Sequence, residues 1–261
     1  MIGSECYLFG LLTLEKRDGV GILTLNNPEK RNAMIPELTK EFPIAIEQVR
    51  NDPEIRVLII TGNGKAFSAG GDIEMLVTKT MQSPDQNRRE MGDFYRAYLS
   101  VLNVDVPTIA AINGHAIGAG LAFALGCDIR ITAECAKMGA TFLNLGLHPG
   151  MGITHLLPQI VGTAHAADLI LTGRLINSQE AKEIGLVSRV YPSETLLEET
   201  LNIASQMALK SASGVRMAKR ALVKNKLAGL EAALDYEAAA QMTSYSSNEM
   251  KSALKKFIKN K

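Results

Sequence analysis

Residues 109–131 read IAAINGHAIGAGLAFALGCDIRI, which predicts a strand, a glycine-rich bend and an apolar helix. Its first residues form a short, continuous apolar run, which is typical of a strand buried on both faces. Gly118 and Gly120 then flank Ala119, ahead of apolar residues at helical spacing. Small residues at a strand-to-helix turn leave the backbone open to a ligand, so the N–H of Ala119 is a candidate hydrogen-bond donor.

A second loop of the same design lies at residues 62–73, where GNGKAFSAGGDI follows the apolar run VLIITG. Two N–H groups that meet at one oxygen form an oxyanion hole, in which one donor is typically worth about 2.7–4 kcal/mol in rate. Taken alone, each loop could equally be a tight turn that requires glycine. Neither loop has the glycine spacing of a dinucleotide site or the Ser/Thr of a P-loop.

The rest of the chain predicts an α/β fold. Residues 11–26, LLTLEKRDGVGILTLN, predict two strands around an Arg-Asp-Gly turn. An amphipathic helix is predicted over 36–50, and further buried strands are predicted at 108–113 and 128–133. This alternation of strands and helices predicts βαβ units with right-handed crossovers.

Two regions depart from the alternation. Residues 78–93 are polar before they turn helical, which predicts a mobile loop leading into a helix that ends near Asn103. From about Ser178 onward the periodicity is helical, with stretches at 194–210 and 214–247 and a terminal helix to Lys259. The sequence therefore predicts an α/β core followed by a helical C-terminal region.

Composition excludes several classes of function. The chain has 261 residues and a formal net charge of +1, so no overall field favours nucleic acid or an anionic membrane as a partner. No segment has the roughly 18 apolar residues needed to span a bilayer, and the N-terminus lacks the basic region of a signal peptide. Cys6, Cys127 and Cys135 lack metal-ligand spacing, which predicts no metal site and a reducing, cytoplasmic location.

Four motifs resemble the crotonase superfamily, also called the enoyl-CoA hydratase/isomerase family. They are FSAGGDI at 67–73, AAINGHAIGAG at 110–120, CDIRI at 127–131 and LTGRLINSQEAKEIGLVSRV at 171–190. The resemblance implies a spiral of βββα units over residues 1–190 that binds acyl-CoA. It also implies a helical region over 191–261 for trimerisation and pocket closure, and a homotrimer or a dimer of trimers. Coenzyme A enters as part of the substrate, with no separate cofactor.

The resemblance also assigns site residues. The thioester carbonyl oxygen is expected between the backbone N–H groups of Gly71 and Ala119, which would stabilise an enolate without reorganisation. The residues that match positions lining the coenzyme A are Arg31, Ala33, Ala69, Gly70, Asp72 and Ile73.

The chain departs from the family pattern at the positions where the family has its glutamates. Hydratases of this family share two glutamates, and the matching positions here are Ala122 and Phe142. Isomerases of the peroxisomal type place a glutamate one turn later, at a position that is Gly150 here. Methyl, phenyl and hydrogen side chains exchange no protons, so the two-glutamate hydration mechanism is not expected. All three positions are expected in the wall of the substrate pocket.

Other titratable groups could replace the glutamates. His148 is a candidate general acid or base, because histidine titrates near neutral pH, and the alternative is a packed loop residue before a proline. The resemblance gives Asp72 a loop-fixing role, and Asp128 is expected to brace a turn. Tyr95 and Tyr98 could border the acyl pocket or pack in the core.

Three functions remain open from the sequence. The first is an acyl-CoA enzyme that works through a stabilised enolate and carries the general hydratase/isomerase description. The second is a decarboxylase or thioesterase on a CoA or carrier-protein thioester, because loss of carbon dioxide generates the enolate without a base. The third is a non-catalytic acyl-CoA-binding protein.

Overall fold

The computed structural model describes residues 6–259. In chain order the strands are β1 (Cys6–Leu8), β2 (Leu12–Arg17), β3 (Val20–Leu25), β4 (Val57–Gly62), β5 (Ala66–Ser68), β6 (Thr108–Ile112), β7 (His115–Ile117), β8 (Ile129–Ala133), β9 (Lys137–Gly139), β10 (Ile176–Asn177) and β11 (Arg189–Tyr191). The helices are α1 (Pro36–Asn51), α2 (Ile73–Lys79), α3 (Pro84–Leu99), α4 (Ala119–Gly126), α5 (Ile153–Thr172), α6 (Ser178–Glu183), α7 (Leu196–Ala208), α8 (Ala212–Leu227), α9 (Leu230–Ser246) and α10 (Asn248–Lys259).

The strands form two sheets, which confirms the predicted α/β class. The larger sheet has the order β1-β2-β3-β4-β6-β8-β11, antiparallel at β1–β3 and parallel from β3 onward. The smaller sheet has the order β10-β9-β7-β5. Successive turns of the chain each give one strand to the large sheet and one to the small sheet, as β4–β5, β6–β7 and β8–β9 do. A spiral results, and it brings the ends of β5 and β7 side by side.

The predicted hairpin and first helix are confirmed. Asp18 and Gly19 both have positive φ, 46° and 82°, as a two-residue type I′ turn between β2 and β3 requires. Helix α1 begins at Pro36, as predicted, and it buries the predicted face of Leu38, Phe42, Ile46 and Val49.

The strand VLIITG is buried on both faces, as its continuous apolar run predicts. Leu58 and Ile60 face the main core with α1, α3 and α4, whereas Val57 and Ile59 face a second core that α7 covers. This double burial is what a parallel strand with helices on each side requires.

The loop predicted at the start of 78–93 is short, because α2 extends to Lys79 and α3 begins at Pro84, and the predicted helix that follows it is confirmed. The Ser83 hydroxyl accepts the N–H of Gln86 at 3.3 Å and caps α3, with Pro84 as its first residue. The polar residues that suggested a loop form the solvent face of α3. The opposite face is buried and includes Met91, Phe94, Tyr95 and Tyr98.

The C-terminal region is helical, as predicted, but the stretch 214–247 is divided. Gly229, with φ 84°, separates α8 from α9, because a left-handed residue cannot continue the helix. Helix α9 then packs against α3 and α5, and α10 packs on the 3₁₀ turn Thr141–Leu145. Within residues 6–259, no helix has both the length and the apolar character that a bilayer crossing demands.

Candidate active site

The two glycine loops pack directly against each other at the ends of β5 and β7. Gly70 has φ 82°, and a Cβ atom there would lie 3.1 Å from the backbone nitrogen of Ala119. A Cβ atom on Gly120 would lie 2.9 Å from the Cβ of Ser68. Both positions therefore need glycine for the two backbones to come this close.

Two backbone donors are left unpaired where the loops meet. Ala119 is the first residue of α4, it follows Gly118 at φ 54°, and it is only 6% exposed. Throughout residues 6–259, neither the N–H of Ala119 nor that of Gly71 donates to a protein acceptor. A buried N–H is nearly always paired, and a helix N-terminus favours negative charge, so the N–H of Ala119 fits a ligand oxygen. The N–H of half-buried Gly71 is a second donor from the neighbouring loop.

The first glycine loop is held in place by residues 31–34. The Arg31 carbonyl accepts the N–H of Ala69 at 2.9 Å, and the Gly70 carbonyl accepts the N–H of Met34 at 2.8 Å. Asn32 is fully buried, with φ 51°, and its amide donates to the Ala66 carbonyl at 2.8 Å. Sequence reasoning missed Asn32, although an asparagine beside a loop is a residue type that tolerates left-handed backbone.

Both unpaired donors border a cavity of about 440 Å³. Its wall is mainly apolar and includes Ile73, Met75, Leu76, Met91, Phe94, Ile117, Phe142, Leu145, Leu147 and Met151. The polar side chains in the wall are Tyr95, His115, Lys137, Thr141, Asn144, Gln241 and Tyr245. No aspartate or glutamate is among the described residues that line this cavity.

Five of the predicted site residues lie together in the cavity wall: Ala69, Gly71, Ile73, Ala119 and Phe142. Asp72 lies beside them in an adjoining groove of about 720 Å³. Its carboxylate accepts the N–H of Met75 at 3.1 Å and caps α2, in agreement with the loop-fixing role inferred from the resemblance. Arg31 bonds to this loop and Gly70 is part of it, and none of Arg31, Ala33 and Gly70 lines the cavity described here.

Ala122 and Gly150 lie behind the cavity wall rather than in it. Ala122 is fully buried in the core, one turn after Ala119. A Cβ atom on Gly150 would lie 2.6 Å from the amide nitrogen of Gln241 and would also press on the Tyr95 hydroxyl. The space that a side chain at 150 would need is therefore filled by Tyr95 and Gln241.

His148 is not among the residues lining the cavity in the described chain. Its ring packs edge-on against Tyr236, with centroids 5.7 Å apart, and its Nδ1 lies 2.6 Å from the Pro149 carbonyl oxygen. Its placement is that of a packed loop residue. Asp128 accepts the N–H and hydroxyl of Thr108 and pairs with Lys219 at 2.8 Å, which agrees with the predicted bracing role.

A tyrosine and glutamine group closes the inner wall. The Tyr245 hydroxyl donates to Gln241 Oε1 at 3.1 Å, and Gln241 Nε2 donates to the His148 carbonyl at 2.8 Å. Tyr95 is 1% exposed, and burial raises its pKa well above the ordinary value, with Tyr245 and Glu237 adding to the effect. Burial also raises the pKa of Tyr245. Both phenols therefore stay protonated near neutral pH.

Glu237 is a buried carboxylate one helical turn before Gln241. It accepts the N–H of Gly152 at 2.5 Å, the N–H of Thr154 at 3.0 Å and the Thr154 hydroxyl at 2.6 Å. Burial raises the pKa of Glu237, while these hydrogen bonds oppose the rise. The carboxylate anchors the start of α5 and lies outside the cavity wall.

Comparison with known proteins identifies the family. The family model described as enoyl-CoA hydratase/isomerase matches residues 15–261. The chain belongs to the enoyl-CoA hydratase/isomerase family. It is 36% identical over 250 residues to a probable enoyl-CoA hydratase from Mycobacterium bovis, covering 96% of this chain and 95% of that one. It is 34% identical to a crotonyl-CoA hydratase from Syntrophomonas wolfei, over 96% of this chain and 95% of the relative.

A solved structure supports the same assignment. The enoyl-CoA hydratase/isomerase from Pseudoalteromonas atlantica superposes with a TM-score of 0.86 at 30% identity, covering 96% of this chain and 98% of that one. The resemblance drawn from the four sequence motifs is thereby confirmed, as is the expectation of an enzyme of this family. Within this member of the family, the unpaired N–H groups of Gly71 and Ala119 border a cavity whose described wall holds no carboxylate.

Proposed function

We propose that this protein binds an acyl-CoA thioester with its carbonyl oxygen between the N–H groups of Gly71 and Ala119. The observation that carries the proposal is the pair of unpaired backbone donors, from two loops packed in contact, at the edge of one apolar cavity. Such donors stabilise the negative charge that develops on the oxygen when a thioester becomes an enolate. The coenzyme A would run along residues 31–33 and 69–73.

The missing carboxylates set this protein apart from a two-glutamate hydratase. The positions that resemble the hydratase glutamates are Ala122 and Phe142, and the isomerase position is Gly150. Phe142 presents an aromatic ring to the cavity. Gly150 has no side chain, and it lies against Tyr95 and Gln241. Water addition needs a group that takes its proton, so direct hydration by this mechanism should be at background.

Decarboxylation is a second candidate, favoured by the absence of carboxylates from the described cavity wall. In a malonyl-type thioester the bond between the α-carbon and the carboxylate breaks, and carbon dioxide leaves. The electron pair moves into the carbonyl to give the enolate, and a solvent proton then adds to the α-carbon. Only the oxyanion donors are needed to form the enolate, and a wall without negative side chains accepts the substrate carboxylate without like-charge repulsion.

The binding mode can be tested with two ligands that differ only at the carbonyl. Butanoyl-CoA has the thioester oxygen, whereas the thioether S-butyl-CoA lacks it. Because two net hydrogen bonds are worth about 2 kcal/mol, titration calorimetry should give a dissociation constant for the thioester about 30-fold lower. Equal affinities would mean that Gly71 and Ala119 do not hold the carbonyl.

The reaction can be tested by incubating the protein with methylmalonyl-CoA and measuring carbon dioxide and propanoyl-CoA. Equal amounts of the two products support decarboxylation. Free coenzyme A without carbon dioxide would indicate a thioesterase. Tight binding of many thioesters with no product would favour a non-catalytic acyl-CoA-binding protein.

Assembly and location are part of the same proposal. The resemblance implies a homotrimer or dimer of trimers, and exposed apolar side chains on α8 support contacts between copies: Met217 is 69% exposed and Leu222 is 79% exposed. Light scattering would test this assembly. A cytoplasmic location is supported by the three free cysteines, Cys6, Cys127 and Cys135.

A further inference from the structure

Helix α4 has the unpaired N–H of Ala119 at its first residue, and positively charged side chains bind its opposite end. The Lys226 ammonium of α8 donates to the carbonyl oxygens of Gly126 and Cys127, at 3.2 and 3.1 Å. Arg130 Nη1 donates to the same Cys127 carbonyl at 2.9 Å. All eight residues of α4 are buried. The helix therefore runs through the protein core from the proposed oxyanion site to a pair of cations.

The positive charge at this end of α4 exceeds the negative charge beside it. Lys219, also on α8, is 7% exposed and pairs with Asp128 at 2.8 Å. In the part of the chain that the structure describes, this is the one ion pair formed by Lys219, Lys226 and Arg130. The partners of Lys226 and Arg130 are neutral backbone carbonyls. Two positive charges are thus left without a carboxylate partner at the end of α4.

This arrangement favours an anion at the far end of the same helix. The last carbonyls of a helix carry about half a negative charge, which opposes an anion at its N-terminus. Cations bound to those carbonyls cancel that opposition. Because eight residues of helix span about 12 Å, the charge of Lys226 also attracts an anion at Ala119 directly. A neutral ligand oxygen gains less, so the effect is largest for the charge that develops on an enolate.

Lys226 is a charge that changes with pH. Burial, together with the charge of Arg130, lowers the pKa of Lys226 to about 8. Burial raises the pKa of the Cys127 thiol to about 12, so that neighbour stays neutral where Lys226 titrates. The charged and titratable groups around Lys226 are Cys127 and Asp128 in the turn after α4, Arg130 on β8, Lys219 on α8, and His155 on α5, whose Nε2 lies 3.0 Å from the Lys226 carbonyl oxygen.

We infer that Lys226 is a positioning residue for the oxyanion: its ammonium binds the end of α4 and strengthens the stabilisation of negative charge at the N–H of Ala119. The inference rests on the proposed function, because an anionic oxygen must form between Gly71 and Ala119. It deepens that function by assigning a remote charge that sets the strength of the oxyanion site and makes it depend on pH.

The test uses acetoacetyl-CoA, whose enolate forms when the carbon between its two carbonyls loses a proton to solvent. Saturating protein is titrated with pH, and the enolate is followed by its ultraviolet absorbance. Lys226→Arg and Lys226→Met are compared because neither replacement titrates in this range, and the two differ in charge. At about 15 Å, one charge should make the ionisation constant of the bound ligand about fivefold larger with Lys226→Arg than with Lys226→Met.

Lys224 provides the matched control. It lies on α8 two residues before Lys226 and is exposed, so its side chain leaves the helix about 200° away from that of Lys226. Lys224→Arg and Lys224→Met should give equal ionisation constants. Circular dichroism of each variant establishes that the fold is retained.

A second measurement detects the field at the carbonyl without an ionising ligand. The carbonyl of butanoyl-CoA is labelled with carbon-13, and its stretching frequency in the bound state is recorded by infrared spectroscopy from pH 7 to pH 9.5. A carbonyl stretch moves to higher frequency as the attraction on its oxygen weakens. In the unmodified protein the frequency should rise as Lys226 loses its proton, whereas in Lys226→Arg it should stay constant.

The outcomes separate this inference from the proposed function. Equal ionisation constants in Lys226→Arg and Lys226→Met, or the same rise in frequency in Lys226→Arg as in the unmodified protein, overturn the role of Lys226. If bound acetoacetyl-CoA still ionises more readily than free acetoacetyl-CoA in that case, the site at Gly71 and Ala119 stands. If it ionises no more readily in any of the proteins, the oxyanion site and the role of Lys226 fail together.

Discussion

Gly70 lies so close to Ala119 that a Cβ atom on Gly70 would be 3.1 Å from the Ala119 nitrogen. Gly70→Ala would therefore move the second donor of the proposed oxyanion hole and strain a backbone at φ 82°. We expect the ratio of S-butyl-CoA to butanoyl-CoA dissociation constants to fall by about tenfold or more. Gly214→Ala, on α8 and with ordinary contacts, should leave the ratio unchanged. A ratio that persists in Gly70→Ala would contradict this geometry.

Gly150 and Tyr95 provide a coupled test of the inner wall. Gly150→Ala should lower the free energy of unfolding by about 1–3 kcal/mol, because the added Cβ overpacks against the Tyr95 hydroxyl and Gln241. Removing the hydroxyl with Tyr95→Phe should restore part of the loss, so the double-mutant cycle should be non-additive. Urea unfolding of the four proteins measures this coupling. Additive losses would show that the two residues do not press on each other.

Glu237 should make stability fall as pH rises. Burial raises its pKa in the folded protein, so the unfolded chain loses this proton first and the folded chain binds more protons in that window. The free energy of unfolding of the unmodified protein, minus that of Glu237→Gln, should therefore decrease from the ordinary glutamate pKa up to the raised folded value. Above that value the difference should be constant. A difference that increases with pH would mean that the bonds from Thr154 and Gly152 outweigh burial.

Lys226 should have the opposite pH dependence at alkaline pH. Its ammonium donates to the carbonyls of Gly126 and Cys127 at the end of α4, and burial lowers its pKa to about 8. Between that value and the ordinary lysine pKa the unfolded chain binds more protons, so stability should rise with pH. In this range the free energy of unfolding of the unmodified protein should rise relative to that of Lys226→Met. Parallel curves would contradict a lowered pKa.

Local sequence patterns predicted five strands of the large sheet, β2, β3, β4, β6 and β8, and the position of both glycine loops. The hairpin turn at Asp18 and Gly19 depends on two adjacent residues, and the buried strand 57–62 depends on its own apolar run. The spacing of Gly118, Ala119 and Gly120 likewise predicted the bend that leaves an N–H unpaired. These features need few long-range contacts, so the sequence is sufficient to predict them.

The remaining features depend on contacts between distant parts of the chain. Gln241 and His148 are 93 residues apart, yet their hydrogen bond helps to form the inner wall of the cavity. The unpaired hydroxyl of Tyr95 can be recognised only after every neighbouring donor and acceptor has been counted. The start of α3 at Pro84 was not predicted because the polar face of the helix dominates its first turns, while its buried face becomes evident only against α1 and α9.

The most direct test of the central claim is the hydration of crotonyl-CoA, followed by the loss of its enoyl absorbance. The cavity wall described here has backbone donors for the thioester oxygen but no carboxylate to activate water. We expect crotonyl-CoA to bind and its hydration to stay at the background rate. Rapid hydration by the purified protein would contradict the account, because the two-glutamate mechanism requires carboxylates that the described cavity wall does not supply.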